Sequence, residues 1–225
     1  TGIGNWSDED FIRAMTQGLS PEAKHYFPVF PYTSFQRIKR NDLLALKAYL
    51  FSVPPVKQKN LPHDLILPFG GQYAMLFWKN FVWSPQPFIS NSEQTASWNR
   101  GAYLAQAVAH CGECHTPRNL FGALKTKMHF AGSKEGPEGE LAPNITPDKE
   151  TGIGNWNKVD ISYFLQNGMK PNGDDVQGLM GDVIELGYHH LLEEDLDALA
   201  EYLLSLTPIS NELRTDSVEN SETEK

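Results

Sequence analysis

Thr1-Gly2-Ile3-Gly4-Asn5-Trp6 recurs letter for letter as Thr151-Gly152-Ile153-Gly154-Asn155-Trp156, and the agreement continues through Asp10 and Asp160, Gly18 and Gly168, and Pro21 and Pro171. A repeat this strict constrains the chain more than any other feature, because both copies are expected to adopt one local fold. Residues 42–50 parallel 195–203 in the same way, with a small difference in length between the copies. Residues 1–56 therefore correspond to the last half of the unit that closes the chain. The expected organisation is a partial domain over 1–56, an aromatic-rich linker over 57–96, a complete domain over 97–210 and a disordered acidic tail over 211–225. The first copy has no counterpart of residues 111–115, so the chain is expected to start inside a domain. The alternative is a self-sufficient helical pair that only resembles the later unit.

The periodicity is helical throughout, and the expected class is all-α. Between Trp98 and His110 the residues Tyr103, Leu104, Ala107 and Val108 share one side at helical spacing, and Cys111 continues the stripe. Asn157 with Asp160 three residues on forms a capping pair, and Gly168 supplies the stop, which predicts a helix of about ten residues. Ser7, Asp10 and Gly18 stand in the same places of the first copy. Leu196, Leu199, Ala200, Leu203 and Leu206 make a stripe ended by Thr207-Pro208, predicting a last helix packed across the one that precedes Cys111.

The chain has two cysteines, both in Cys111-Gly112-Glu113-Cys114-His115. This is the attachment signature of a c-type haem: two thiols on one helical turn meet the two vinyl groups of a porphyrin, and the adjacent imidazole is held beneath the iron. Two plainer readings compete. A structural zinc site takes four ligands, and no second cysteine pair completes one. A dithiol redox site normally opens a helix within a βαβ pattern, whereas the segment before Cys111 already reads as helix.

The ligand opposite His115 decides between electron transfer, gas binding and chemistry. Met15 and Met75 lie outside the later unit by the repeat, while Met128, Met169 and Met180 lie inside it. Met180 is preferred, since Gly178-Leu179-Met180-Gly181-Asp182 reads as a loop able to swing a thioether onto the far face. Met169 is next, and gap filling is the plain alternative for each methionine. The repeat sets Phe30 opposite Met180, and a phenyl ring cannot coordinate iron; a haem in that copy is expected to be five-coordinate, to use His25, or to be absent altogether. His189 and His190 offer imidazoles but read as solvated surface, and Arg118 is either a partner for haem carboxylates or half of a surface ion pair.

A formal net charge of −9 and a pI near 5.2 argue against nucleic acid, whose phosphates demand a basic face. No apolar run approaches the ~20 residues that span a bilayer. The chain does not begin with Met, and a processed or truncated product is expected. Leu61 to Trp83 is a dense apolar and aromatic stretch, expected to pack between domains, with a membrane surface or a protein partner as alternatives.

Gly101-Ala102-Tyr103-Leu104, the haem motif followed by Thr116-Pro117-Arg118-Asn119, Ala142-Pro143-Asn144-Ile145-Thr146-Pro147-Asp148 and the closing Tyr202-Leu203-Leu204-Ser205-Leu206 resemble the multi-haem cytochrome c subunits of periplasmic membrane-bound dehydrogenases. The resemblance runs from Thr1 to Pro208. It implies class I cytochrome c-like domains, the later one complete and the earlier one represented by its C-terminal half. It implies Cys111 and Cys114 as thioether sites, His115 as proximal and Met180 as distal ligand of one covalent haem c in this chain. It implies a quinoprotein or flavoprotein dehydrogenase as donor, a quinone, cytochrome or oxidase as acceptor, and the periplasm, with peripheral contact to the cytoplasmic membrane, as the location. Phe30 departs from the family pattern, which has Met there. The rival expectations are a haem enzyme, thiosulfate dehydrogenase- or peroxidase-like, or a haem sensor, both with a labile sixth ligand.

Overall fold

The computed structural model describes residues 1–61 and 72–213. Nine α-helices are found among them: α1 (Asp8–Gln17), α2 (Tyr32–Phe35), α3 (Arg40–Ser52), α4 (Gln72–Phe81), α5 (Ala96–Tyr103), α6 (Gly112–His115), α7 (Lys158–Asn167), α8 (Leu179–Leu186) and α9 (Glu193–Leu204). Among the described residues β-structure is limited to isolated bridges, as an all-α reading requires. The chain divides into two compact units, Thr1–Ile89 with Gln106–His110, and Ser90–Ala105 with the chain from Cys111 onward.

The repeat is a repeat of structure. α1 and α7 are both ten residues long, and each opens on a capping box, Ser7 with Asp10 and Asn157 with Asp160. Each closes on a left-handed glycine, Gly18 at φ 60° and Gly168 at φ 77°, where a residue without Cβ is favoured. The bridge after each cap also matches: Tyr26 N–H donates to Gly18 O and Val176 N–H to Gly168 O, both at 2.8 Å. The copies then diverge, the first into the single turn of α2 and the second into the two turns of α8.

In the first unit Phe11, Met15 and Leu43 form a core joined by Ile3, Trp6, Ile12, Phe30, Phe35 and Ile38. Lys47 Nζ lies 2.6 Å from Asp8 Oδ1, and Arg40 pairs with Glu9, tying α3 to α1. The Tyr32 ring packs where a Cβ on Gly18 would stand.

In the second unit α5 and α9 cross closely. A Cβ on Gly101 would lie 1.9 Å from the carbonyl oxygen of Ala198, so the backbones meet only because this residue is glycine. Arg100 donates from Nε and Nη2 to the two oxygens of Asp195, each at 2.7 Å, a bidentate clamp across the crossing. The Trp98 indole donates to Ser205 Oγ at 2.6 Å and meets the Tyr202 ring edge-on. α7 joins α9 where Ser162 Oγ donates to Asp197 Oδ1 at 2.8 Å.

Two expectations need amendment. The helix leading to the haem motif does not run evenly: α5 passes into a π-turn over Leu104–Val108, and His110 takes a positive φ of 41°. A π-turn adds a residue to the winding, which re-aims the chain beyond it, here Cys111. The first residue of the tail expected over 211–225 is bound to the second unit, because Asn211 N–H donates to Thr151 Oγ1 at 3.0 Å and its side-chain amide to Ala131 O at 2.8 Å. The remainder of that tail, 214–225, and the linker residues 62–71 lie outside the described residues.

Candidate functional site

Cys111 is the N-cap of α6, and the next three residues and His115 make a single turn, closed by the bond from His115 N–H to Cys111 O at 3.0 Å. A Cβ on Gly112 would approach the His129 ring carbon Cε1 to 2.8 Å, so a larger residue in that turn would displace the His129 ring. His115 is buried, and its Nδ1 lies 2.7 Å from the carbonyl oxygen of Pro143. A carbonyl only accepts, so Nδ1 carries the proton and Nε2 keeps its lone pair. Two further bonds fix the loop beyond the motif: Gly132 N–H donates to His115 O at 2.8 Å, and Phe130 N–H to Thr116 Oγ1 at 3.0 Å. Burial pushes the basicity of His115 down, while the Pro143 carbonyl opposes that shift.

Cys111 and Cys114 form no disulfide with one another. Burial pushes the Cys111 thiol up to about 11, only partly offset by the Tyr188 hydroxyl 3.8 Å from its sulfur, and burial raises Cys114 as well. A dithiol redox site needs the opposite, a stabilised thiolate. Among the described residues no group of three or more His, Cys, Asp or Glu side chains is arranged to hold a metal ion.

No protein-family model matches the chain. Curated relatives do. A diheme cytochrome c-type protein of Cereibacter sphaeroides is 39% identical over 203 residues, covering 90% of this chain and 66% of that protein. The fructose dehydrogenase cytochrome subunit of Gluconobacter japonicus is 33% identical over 207 residues, 91% of this chain and 42% of that one. The alcohol dehydrogenase (quinone) cytochrome c subunit of Gluconobacter oxydans is 32% identical over 216 residues, 92% of this chain and 45% of that one. This chain belongs to the family of dehydrogenase cytochrome c subunits. It spans at most about two thirds of the length of these relatives.

A cytochrome c implies covalent haem c, and the residues fit that group. Both thiols and the imidazole lie on one turn, and the imidazole is held at Nδ1 with Nε2 left for iron. The methionines of this cytochrome fall in different places. Met180 is half-buried on the first turn of α8 rather than in a loop, Met169 is 41% exposed at the bridge to Asp175, and Met128 ends a short 3-10 turn. Met15 and Met75 are buried in the first unit. Phe30 packs edge-on against Tyr26 and Phe35, as part of the apolar core of its unit. His25 is half-buried, its Nδ1 has no partner, and burial lowers its basicity. His189 and His190 are exposed, as expected of solvated surface. Arg118 pairs with Glu113 Oε2 at 2.5 Å and donates to Gly122 O at 2.8 Å, the ion-pair alternative.

Sequence reasoning misses Pro143 and Tyr188. Pro143 acts through its backbone carbonyl, which no side-chain pattern reveals. Tyr188 comes to Cys111 just after α8, a helix that the glycines around Met180 disguise as a loop.

Proposed function

We propose that this chain is an electron carrier with one covalent haem on Cys111 and Cys114, ligated by His115 and Met180. It would relay electrons from a periplasmic quinoprotein or flavoprotein dehydrogenase towards the respiratory chain at the outer face of the cytoplasmic membrane. The observation that carries this reading is the bond from His115 Nδ1 to Pro143 O at 2.7 Å, which presents Nε2 as a fixed, neutral ligand. A count of one haem follows from a sequence with two cysteines. The relatives support the electron-transfer class by their names, as cytochrome subunits of fructose and alcohol dehydrogenases.

When bound, haem c supplies a one-electron ferric/ferrous couple. The residues do the rest. Cys111 and Cys114 fix the group covalently, and the carbonyl of Pro143 sets the ring orientation of His115. The bonds from Phe130 N–H and Gly132 N–H brace the backbone on the C-terminal side of the motif. A Met180 thioether would favour ferrous iron and close the sixth position, so that little rearranges between oxidation states. No helix among the described residues is long and apolar enough to cross a membrane.

The test combines mass and spectroscopy on the protein from its native source. Thioether-bound haem survives denaturation, so the denatured intact mass is expected to exceed the polypeptide by one haem per Cys111/Cys114 pair, and the bare polypeptide mass would refute the reading. Met180→Ala is expected to change the visible spectra of both oxidation states, with Met169→Ala leaving them unchanged. Rapid carbon monoxide binding by the ferrous wild type would point instead to a haem enzyme or sensor with a labile sixth ligand.

A further inference from the structure

The chain beyond α9 returns to the two loops that flank His115. Ile209 exchanges a pair of hydrogen bonds with the Pro143 loop: its carbonyl accepts from Asn144 Nδ2 at 2.7 Å, and its N–H donates to Thr146 Oγ1 at 3.1 Å. Asn211 N–H then donates to Thr151 Oγ1 at 3.0 Å, while its side-chain amide reaches Ala131 O on the other loop at 2.8 Å. Leu213 follows, with its Cδ1 in the space that a Cβ on Gly132 would take. One of these contacts recurs in the first unit, where Gln58 N–H donates to Thr1 Oγ1 at 3.2 Å. Gln58 follows Leu50 at the same spacing as Asn211 follows Leu203, and the repeat pairs Thr1 with Thr151, so this return of the chain belongs to the repeated fold.

Both ends of this strap lead to the same imidazole. The carbonyl of Pro143 accepts from His115 Nδ1, and the next residue, Asn144, is held by a side chain whose polar positions are all in use. Asn144 Nδ2 donates to Ile209 O and to Thr151 Oγ1, and its Oδ1 accepts from the N–H and the hydroxyl of Thr146 at 2.9 and 2.8 Å. Asn144 and Thr146 are 3% and 0% exposed, so a bond lost here is not replaced by water. At the other end Gly132, beside Ala131, donates its N–H to His115 O at 2.8 Å, which ties the backbone of the same histidine to the strap. The Pro143 carbonyl is thereby a fixed acceptor. An acceptor fixed at Nδ1 sets both the orientation of the ring and the electron density that Nε2 offers to a metal.

We propose that residues 209–213 form a positioning strap for the haem ligand: through Asn144 and Thr146 on one side and Ala131 and Gly132 on the other, they fix the bond from His115 Nδ1 to Pro143 O and so help to set the reduction potential. The proposal rests on the reading of His115 as the iron ligand and names the residues that regulate it. Its sign follows from ligand basicity. A looser acceptor at Nδ1 leaves the imidazole a weaker donor to iron, which favours the ferrous over the ferric state, so releasing the strap raises the potential.

The test uses two variants of the full haem-loaded chain. Thr146→Val removes the hydroxyl at nearly constant shape, and Asn211→Ala removes a half-buried amide from the strap itself. Potentiometric titration is expected to give an upward shift of the midpoint in both. Proton NMR of the ferric protein is expected to show a changed pattern of haem methyl resonances, which report the orientation of the axial imidazole. Ser162→Ala serves as the control, since it breaks a bond between α7 and α9 in the same unit; it is expected to lower the urea midpoint and to leave potential and methyl pattern as they are. Strap variants that lose stability but keep the wild-type potential and resonances would overturn the proposal, as would an equal shift in Ser162→Ala, because the strap would then serve the fold alone. Should Thr146→Val not fold, Asn211→Ala decides on the same readings. The denatured mass keeps the two readings apart. A wild type without covalent haem defeats the electron carrier and the strap with it, whereas a loaded wild type with unmoved variants defeats only the strap.

Discussion

Gly101 carries the closest approach in the second unit. A methyl group there would meet the backbone of Ala198 at 1.9 Å and Tyr202 Cβ at 2.9 Å, and backbone cannot swing aside as a long side chain can. Gly101→Ala is expected to cost about 3 kcal/mol, read as a lowered midpoint in urea unfolding; an unchanged midpoint would mean that α5 and α9 cross further apart in solution. Gly101 shows what a sequence can and cannot say at this scale. Cys111, Cys114 and His115 are legible because their chemistry is local, three side chains on one turn. The partners of Gly101 and His115 are not, since Ala198 O and Pro143 O are backbone atoms far along the chain, and backbone atoms have no letter. Met180 stands between these cases: the glycines around it single it out as a loop residue able to reach the haem, yet α8 forms where they suggest a loop.

Elements are more legible than contacts. The capping boxes and glycine stops of α1 and α7 follow from local hydrogen-bond chemistry, so the bounds expected for α7 from Asn157 and Gly168 match the helix found. The same logic makes a paired prediction. Ser7→Ala and Asn157→Ala each remove a side-chain acceptor from an N-terminal backbone donor, and each is expected to destabilise by about 1 kcal/mol. Urea unfolding monitored through the tryptophans checks it, and a neutral outcome for one variant alone would show that the two copies are not energetically equivalent. The π-turn over Leu104–Val108 escapes a sequence reading for a definite reason. Apolar residues at helical spacing fit an α-helix and a π-turn almost equally well, and the choice is made by tertiary packing rather than by the local pattern.

Across the whole molecule, acidic side chains serve as hydrogen-bond acceptors in both units. Ser7 holds the Asp10 carboxyl below the usual range, Thr151 does so for Asp148, Ser162 for Asp197 and Ser97 for Glu201. The sign follows from linkage. A carboxylate whose folded pKa lies below its unfolded value binds fewer protons in the native state, so its contribution is present above the unfolded pKa and is lost as pH falls through the folded one. These groups are solvated, so each contribution is small and the effect lies in their number. With the ordinary carboxylate range near 4, urea midpoints are expected to hold from pH 7 to about 5 and to fall progressively below about 4. Salt offers an independent check, because bonds to carboxylates persist under screening whereas repulsion within an acidic chain does not. Added salt is therefore expected to raise stability modestly at pH 7, where the net charge is −9, without preventing the acid decline. A stability that climbs steadily down to pH 3 would mean that relief of like-charge repulsion outweighs these acceptor bonds, and that the carboxylates of the capping boxes and turns are not engaged in solution.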